Sequence, residues 1–270
     1  MRLLTAATLG VYFLLLHMAL LATSDPVVRY LRYIPAHWPA SAPRQRLVLL
    51  SDTHVVGPDT PPARLARVVE RVNRLAPDIV LLAGDYISTK KLATRYYSVA
   101  EAIRPFAGFR ASRGVVAVLG NHDHWADADV ARRELRRAGV ILLDNGAVRL
   151  GPIALGGVDD DYTGHADLAA MAPRLANLGG VPLLLSHSPD VFADAPHWIG
   201  LVLAGHTHCG QIVLPYFGAI ATLSRYGQRY RCGVIRSGAR TLIVTAGIGT
   251  SVMPLRLGAR PDFWVIDAGR

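Results

Sequence analysis

Five short apolar runs in this chain each end in a side chain that can ligate a metal ion. Residues 47–50 lead into Ser51-Asp52-Thr53-His54, residues 79–83 into Gly84-Asp85, and residues 115–119 into Gly120-Asn121-His122-Asp123-His124. Residues 181–185 lead into Ser186-His187-Ser188, and residues 201–204 into Gly205-His206-Thr207-His208. Taken singly, each fragment is an ordinary turn: an Asp-x-His is more often a bend with a surface histidine, and Gly-Asp a capping residue. Together they gather six of the ten histidines, three aspartates and an asparagine at the ends of apolar runs. Oxygen and imidazole donors without thiolate suit Mn²⁺, with Zn²⁺ or iron as alternatives. Asp52 and His54 are two residues apart, as are His206 and His208, and in extended backbone such pairs point the same way. The glycines before Asp85, Asn121 and His206 let backbone close in where a side chain would block an ion.

These donors meet only if the runs are neighbouring strands, because ligands of open α/β sheets bind beyond the carboxyl ends of the strands. The pattern between the runs supports that. Leu65, Val68, Val69, Val72 and Leu75 mark one face of an amphipathic helix broken by Pro77. A helical stretch is expected over 92–103 and a charged helix over 127–138, stopping at Gly139. Further strands are expected at 140–143, 147–150, 153–155, 211–214, 242–245 and 263–266. The first half reads βαβαβα and the second is richer in strands, which implies an α/β fold of mixed sheets with helices on their outer faces.

The ordered set D-x-H, G-D, G-N-H-[DE], H and G-H-x-H resembles the calcineurin-like metallophosphoesterases, over about residues 47 to 270. Gly84-Asp85-Tyr86, Ser186-His187-Ser188-Pro189-Asp190, Ala204-Gly205-His206-Thr207-His208 and Gly247-Ile248-Gly249-Thr250-Ser251 are similar to its membrane-associated bacterial phosphodiesterase branch, which includes a UDP-2,3-diacylglucosamine pyrophosphatase. The resemblance implies a four-layer αββα sandwich of two face-to-face mixed sheets. It also implies two divalent metal ions, one held by Asp52, His54 and His208, the other by Asn121, His187 and His206, with Asp85 bridging both. A metal-bridging hydroxide would attack a phosphoric diester or pyrophosphate. His122 would serve as the acid at the leaving oxygen, and Asp123 would hold its other ring nitrogen. Cys209 departs from the branch, which usually has glycine there; a small buried side chain is expected. His124 is expected to be an outward loop residue and Asp159-Asp160-Asp161 a solvated turn. Arg225, Arg229 and Arg231, interleaved with Tyr226 and Tyr230, are either a wall for an anionic substrate or a surface loop.

Residues 3–22 carry no Asp, Glu, Lys or Arg. At about 1.5 Å per residue a helix of that length matches a bilayer core. A single-pass anchor over 1–24 is expected ahead of a cleaved signal peptide, since the apolar run outlasts an ordinary signal core. Residues 25–46, with four prolines and several arginines, read as a juxtamembrane linker, and 47–270 as the phosphoesterase domain. Arg29, Arg32, Arg44 and Arg46 follow the apolar run while only Arg2 precedes it, so the charge rule puts the body on the cytoplasmic side of the inner membrane.

The 270 residues carry a net charge of +9, and only Lys90 and Lys91 of the 29 basic residues are lysines. Charged residues are 18% and hydrophobic ones 51%, which excludes disorder. No basic run is dense enough to require nucleic acid as a partner. Two cysteines make no disulfide scaffold. A membrane-tethered hydrolase of a phosphoester substrate, lipidic in keeping with the anchor, is the leading expectation. The rivals are a metal-dependent nuclease, suggested by the net charge, and a non-catalytic binding module on the same fold. No protein partner is inferable.

Overall fold

The computed structural model describes residues 2–270; Met1 of the expected anchor lies outside them. Among the described residues, twelve strands form two six-stranded sheets. The first runs, in spatial order, Val27–Tyr33, Asp262–Ala268, Gln45–Leu50, Ile79–Ala83, Val115–Val118 and Ile141–Leu142. The second runs Gly233–Ser237, Arg240–Val244, Leu201–Ala204, Val181–Leu185, Ile153–Gly157 and Gly146–Leu150. The four strands from 45–50 to 141–142 are mutually parallel, as are those at 153–157, 181–185, 201–204 and 240–244. Antiparallel pairs flank each set. The sheets are therefore mixed.

Alternation along each strand assigns its two faces to two cores. Leu47 and Leu49 face one way with Leu81, Val116, Leu183, Leu203 and Ile243, filling the seam between the sheets. Val48 and Leu50 face the other way, against Leu65, Val68 and Val72 of helix Pro62–Asn73 and Leu135 of helix Asn121–Arg137. On the second sheet Leu184, Val202 and Val244 turn outward to Met171 and Leu175 of helix Leu168–Asn177. Strands covered on both faces read as unbroken apolar runs, which is why the sequence shows them so plainly. The result is the four-layer α/β/β/α arrangement.

Three segments differ from expectation. The segment 92–103 is helical only over Val99–Ile103, where Ser98 and Glu101 form a capping box that fixes the start. The helix expected from 127 begins at Asn121 and kinks at Asp127 (φ −172°, ψ 94°), whose carboxylate accepts from Val130 N at 3.0 Å and caps a second helical segment. The proline-bearing stretch read as a linker contributes strand Val27–Tyr33, parallel to Asp262–Ala268 and tied by Arg29 Nε donating to Asp262 at 2.5 Å. Ahead of it, helix Arg2–Thr23 holds a stretch, Leu4–Thr23, long and apolar enough to cross a membrane.

Candidate metal centre

The seven expected donors come together at the carboxyl edge of both sheets. Their convergence does not use extended backbone, as the two-residue spacing had suggested. Asp52 (φ 52°), His54 (39°), Asp85 (58°), His206 (68°) and His208 (50°) all have left-handed backbone. Each such non-glycine residue costs about 1–2 kcal/mol, and hydrogen bonds hold them in place. Asp52 N donates to Gly84 O at 2.9 Å and His54 N to Asp85 O at 3.0 Å. His206 N donates to Asp52 Oδ2 at 3.0 Å, joining the two sheets, and His122 N to Asp85 Oδ1 at 2.8 Å. The glycines act as expected: a Cβ on Gly120 would strike the Asp85 carboxylate, and one on Gly205 that of Asp52.

The donors form two buried nests. In one, His54 Nε2 and His208 Nε2 are 3.1 Å apart, with Asp52 Oδ1 3.4 Å from His208 Nε2. Asp52 Oδ1 and His54 Nδ1 have no hydrogen-bond partner there. In the other, His187 Nε2 lies 3.1 Å from both Asn121 Oδ1 and His206 Nδ1. His187 Nδ1 donates to Ala83 O at 2.7 Å and His206 Nε2 to Leu223 O at 3.1 Å, so the opposite ring nitrogens of these imidazoles are the ones turned inward. Asp85 Oδ2 stands between the nests, 3.4 Å from His54 Nε2 and 3.3 Å from His187 Nε2.

Electrostatics says what this arrangement lacks. Burial pushes the imidazoles of His54 and His208 well below their usual range, helped by neighbouring histidines, and that of His206 down to about 3. Burial pushes Asp52 up to about 6. His187 goes the other way: burial would neutralise it, but the Asp85 carboxylate outweighs burial and holds its imidazole well above the ordinary value. The same attraction holds Asp85 well below the carboxylate range, again against burial. Imidazole lone pairs facing each other beside an unpartnered carboxylate oxygen fit divalent cations better than protons.

His122 lies at the rim, its ring edge-on to His54 at 4.6 Å and to Trp125 at 4.8 Å. Its Nδ1 is 2.7 Å from Thr89 Oγ1 and its Nε2 3.5 Å from Ser251 Oγ. The expected partner, Asp123, is elsewhere. Its carboxylate accepts from the backbone N–H groups of Asp85, Tyr86, Ile87 and Gly120 at 2.9–3.3 Å, clamping two strand ends together. A buried carboxylate at the first turn of a helix is drawn to unpaired amides rather than to a neighbouring ring. Thr89 thus takes the role foreseen for Asp123. Nothing in the sequence singled it out, since a threonine in a polar loop carries no pattern.

Arg256 is also unforeseen. Fully buried, its guanidinium donates to Ala246 O at 2.7 Å, Gly249 O at 2.5 Å and Ala259 O at 3.1 Å, and lies 3.4 Å from His208 Nδ1. Burial lowers its pKa to about 10. It ties the Gly247–Ser251 segment down against the nest. Beside it Lys90 Nζ, Asp59 and Thr250 form a buried cluster with contacts of 2.7–2.8 Å.

Other expectations are corrected. His124 is not an outward loop residue: it bonds Asp159 Oδ1 at 2.8 Å and stacks on His165 at 4.0 Å. Asp159 and Asp160 are buried rather than in a solvated turn. Arg225 faces Asp161 and Asp190, Arg231 donates to Cys209 O, and Arg229 lies over Tyr230; Arg225 and Arg229 are exposed, in keeping with the surface-loop alternative. Cys209, next to His208, is buried as expected, but it is disulfide-bonded to Cys232.

The profile of the calcineurin-like phosphoesterases matches residues 45–210, which contain every donor described above. The chain belongs to that family. The phosphoesterase is 30% identical over 227 residues to the uncharacterized metallophosphoesterase YkuE of Bacillus subtilis, covering 82% of this chain and 77% of that protein. It is 32% identical over 242 residues to a transmembrane protein with metallophosphoesterase domain of Danio rerio, covering 83% of this chain and 53% of that protein. It is 31% identical over 201 residues to phosphodiesterase YaeI of Escherichia coli, covering 71% and 70% respectively. The chain thus spans about half the length of the fish relative and more of the bacterial ones. It is a metal-dependent phosphoesterase.

Proposed function

We propose that the protein is a membrane-tethered hydrolase of phosphoric diester or pyrophosphate bonds. Asp52, His54 and His208 would hold one divalent cation, and Asn121, His187 and His206 a second, with Asp85 serving both. The observation that carries this reading is the place of Asp85 Oδ2 between His54 and His187, within 3.4 Å of each. Divalent cations held by these residues, Mn²⁺ with Zn²⁺ or iron as alternatives, would supply a water of lowered pKa and offset the charge building on phosphoryl oxygens.

The chain's own residues supply the rest. Burial lowers the pKa of His122, so its imidazole is neutral near pH 7 and carries one proton. A Thr89 hydroxyl donating to Nδ1 puts that proton on Nε2, the nitrogen facing the Ser251 side of the rim. His122 can then donate a hydrogen bond from Nε2 to a departing alkoxide or phosphate oxygen and stabilise the charge that builds there. Asp123 holds the ends at Asp85 and Gly120 in register instead of touching the ring. A lipid-linked ester, UDP-2,3-diacylglucosamine among them, suits a body whose helix Arg2–Thr23 anchors it in the inner membrane.

The reading is tested by assaying the purified chain on bis(p-nitrophenyl) phosphate. Turnover with Mn²⁺ that chelation abolishes and Mn²⁺ restores is expected. No turnover with Mn²⁺, Zn²⁺ or Fe²⁺ would overturn it.

The side of the membrane has two readings. The arginines after the helix favour a cytoplasmic body. The Cys209–Cys232 bond favours the oxidising side. Maleimide labelling of unfolded protein from cells, with and without prior reduction, separates them. Labelling that needs reduction puts the body outside, and labelling without it puts the body in the cytoplasm.

A further inference from the structure

An apolar groove of about 300 Å³ opens beside the metal centre, walled by Ile212, Ile220, Leu223, Val252 and Met253, and floored by His208 and Ser251. One of its lining residues, Ser251, lies 3.5 Å from His122 Nε2, so the groove borders the proposed leaving-group histidine. Its mouth is greasy. Ile220 and Val252 are about two-thirds exposed at 69% and 67%, and Tyr216 and Phe217, a few residues before Ile220 in the chain, are also strongly exposed. An apolar lip of this kind around a catalytic cleft needs an occupant.

The docking of the N-terminal helix shows which way the mouth faces. Arg256 N donates to Met18 O at 3.0 Å, and Met18 and Ala22 are buried against the body. Arg64 Nη2 donates to Ser24 O at 2.6 Å just beyond the helix end. The segment that receives the helix also builds the groove: Val252 and Met253 precede Arg256, and Ile212 bridges to Leu257 and Gly258. A bilayer crossed by the helix would meet the body at this segment, which Val252 and Met253 share with the groove. On the other side of Leu223 is a polar cavity of about 430 Å³ bounded by Asp161, Asp190, Ser224 and Arg225. Leu223 O accepts from His206, so the apolar and polar cavities meet at the metal centre.

We propose that the groove takes a hydrocarbon chain of a substrate drawn from the bilayer, with its phosphoester at His122 and its polar head toward the Asp161–Asp190 cavity. The proposal rests on the phosphoesterase reading and adds the substrate's apolar half. A volume near 300 Å³ is that of a small-ligand site and too small for a helix or strand of a protein partner.

The test uses the full chain in phosphatidylcholine nanodiscs with Mn²⁺, and two diesters, methyl p-nitrophenyl phosphate and octyl p-nitrophenyl phosphate. The readout is the ratio of kcat/KM for the octyl ester to that for the methyl ester within each protein. Burying methylenes is worth about threefold to fourfold each, so a ratio of about a hundred or more is expected. Bilayer partitioning also favours the octyl ester, and two variants remove that ambiguity. Ile220→Glu and Val252→Glu change exposed side chains and leave partitioning untouched, so the ratio should fall at least about tenfold in both. Equal rates on the two esters, or a ratio unchanged in both variants, would overturn the groove while leaving the hydrolase standing. Hydrolysis of neither ester would overturn the hydrolase and the groove together.

Discussion

Leu203 and His206 stand three residues apart on one chain, at the two extremes of this molecule. Leu203 sits in an extended strand, fully buried in the seam with Leu183, Leu81 and Ile243 around it. His206 has φ 68°, a pKa forced down to about 3 by burial, and neighbours that repel its charge. The seam stabilises by removing apolar surface from water. The metal centre spends part of that stability on left-handed backbone and crowded ionisable groups, the usual mark of a site built for chemistry. The sheets are rigid so that the edge can be strained.

Substitutions on the two sides of this divide should separate activity from stability. His122→Ala should lower turnover of bis(p-nitrophenyl) phosphate by about 10²–10⁴, with metal content and melting temperature near wild type. Equal activity in that variant would remove His122 from the mechanism. Leu203→Ala should do the reverse, costing about 2–5 kcal/mol in denaturant unfolding while kcat of the folded fraction holds. Thr89→Val should lower kcat by about 10–100-fold and shift the pH profile, because Nδ1 loses the hydroxyl that fixes its tautomer. A fall in KM alone, with the profile unmoved, would make Thr89 merely a loop residue.

The smallest effect lies between the two regions, at His124 and Asp159. The hydrogen bond that His124 donates to Asp159 raises the His124 pKa. A raised histidine contributes stability that is complete below its unfolded pKa, near 6.5, and is lost as pH climbs through the raised value. The pair is partly solvated, so screening limits this to about 1 kcal/mol or less. Asp159→Asn should flatten the slope of stability against pH just above 6.5; an unchanged slope would show that the pair contributes nothing.

The strands and the seven donors could be read from the sequence for one reason. Strands buried on both faces are uninterrupted apolar runs, and the residues that end them stand out by contrast. That contrast gave the mixed α/β sheets and the donors at the strand ends; the αββα layering and the grouping of Asp52, His54, Asp85, Asn121, His187, His206 and His208 into one ligand set followed from the resemblance to the calcineurin-like phosphoesterases. What escaped has no such contrast. Arg256 looks like any other arginine until its environment is known, and Thr89 like any loop threonine. The resemblance puts Asp123 on the ring of His122, yet unpaired backbone amides at a helix start compete better for its carboxylate. Val27–Tyr33 carries prolines only before and after it, so the segment's composition hid a strand that long-range pairing with Asp262–Ala268 creates.

The metal stoichiometry of Asp85→Ala tests the account most directly. Wild-type protein loaded with Mn²⁺ and freed of excess should hold two ions per chain by elemental analysis, and the variant, with the oxygen between the nests gone, should hold fewer than one. Two ions per chain retained in Asp85→Ala would contradict the central claim.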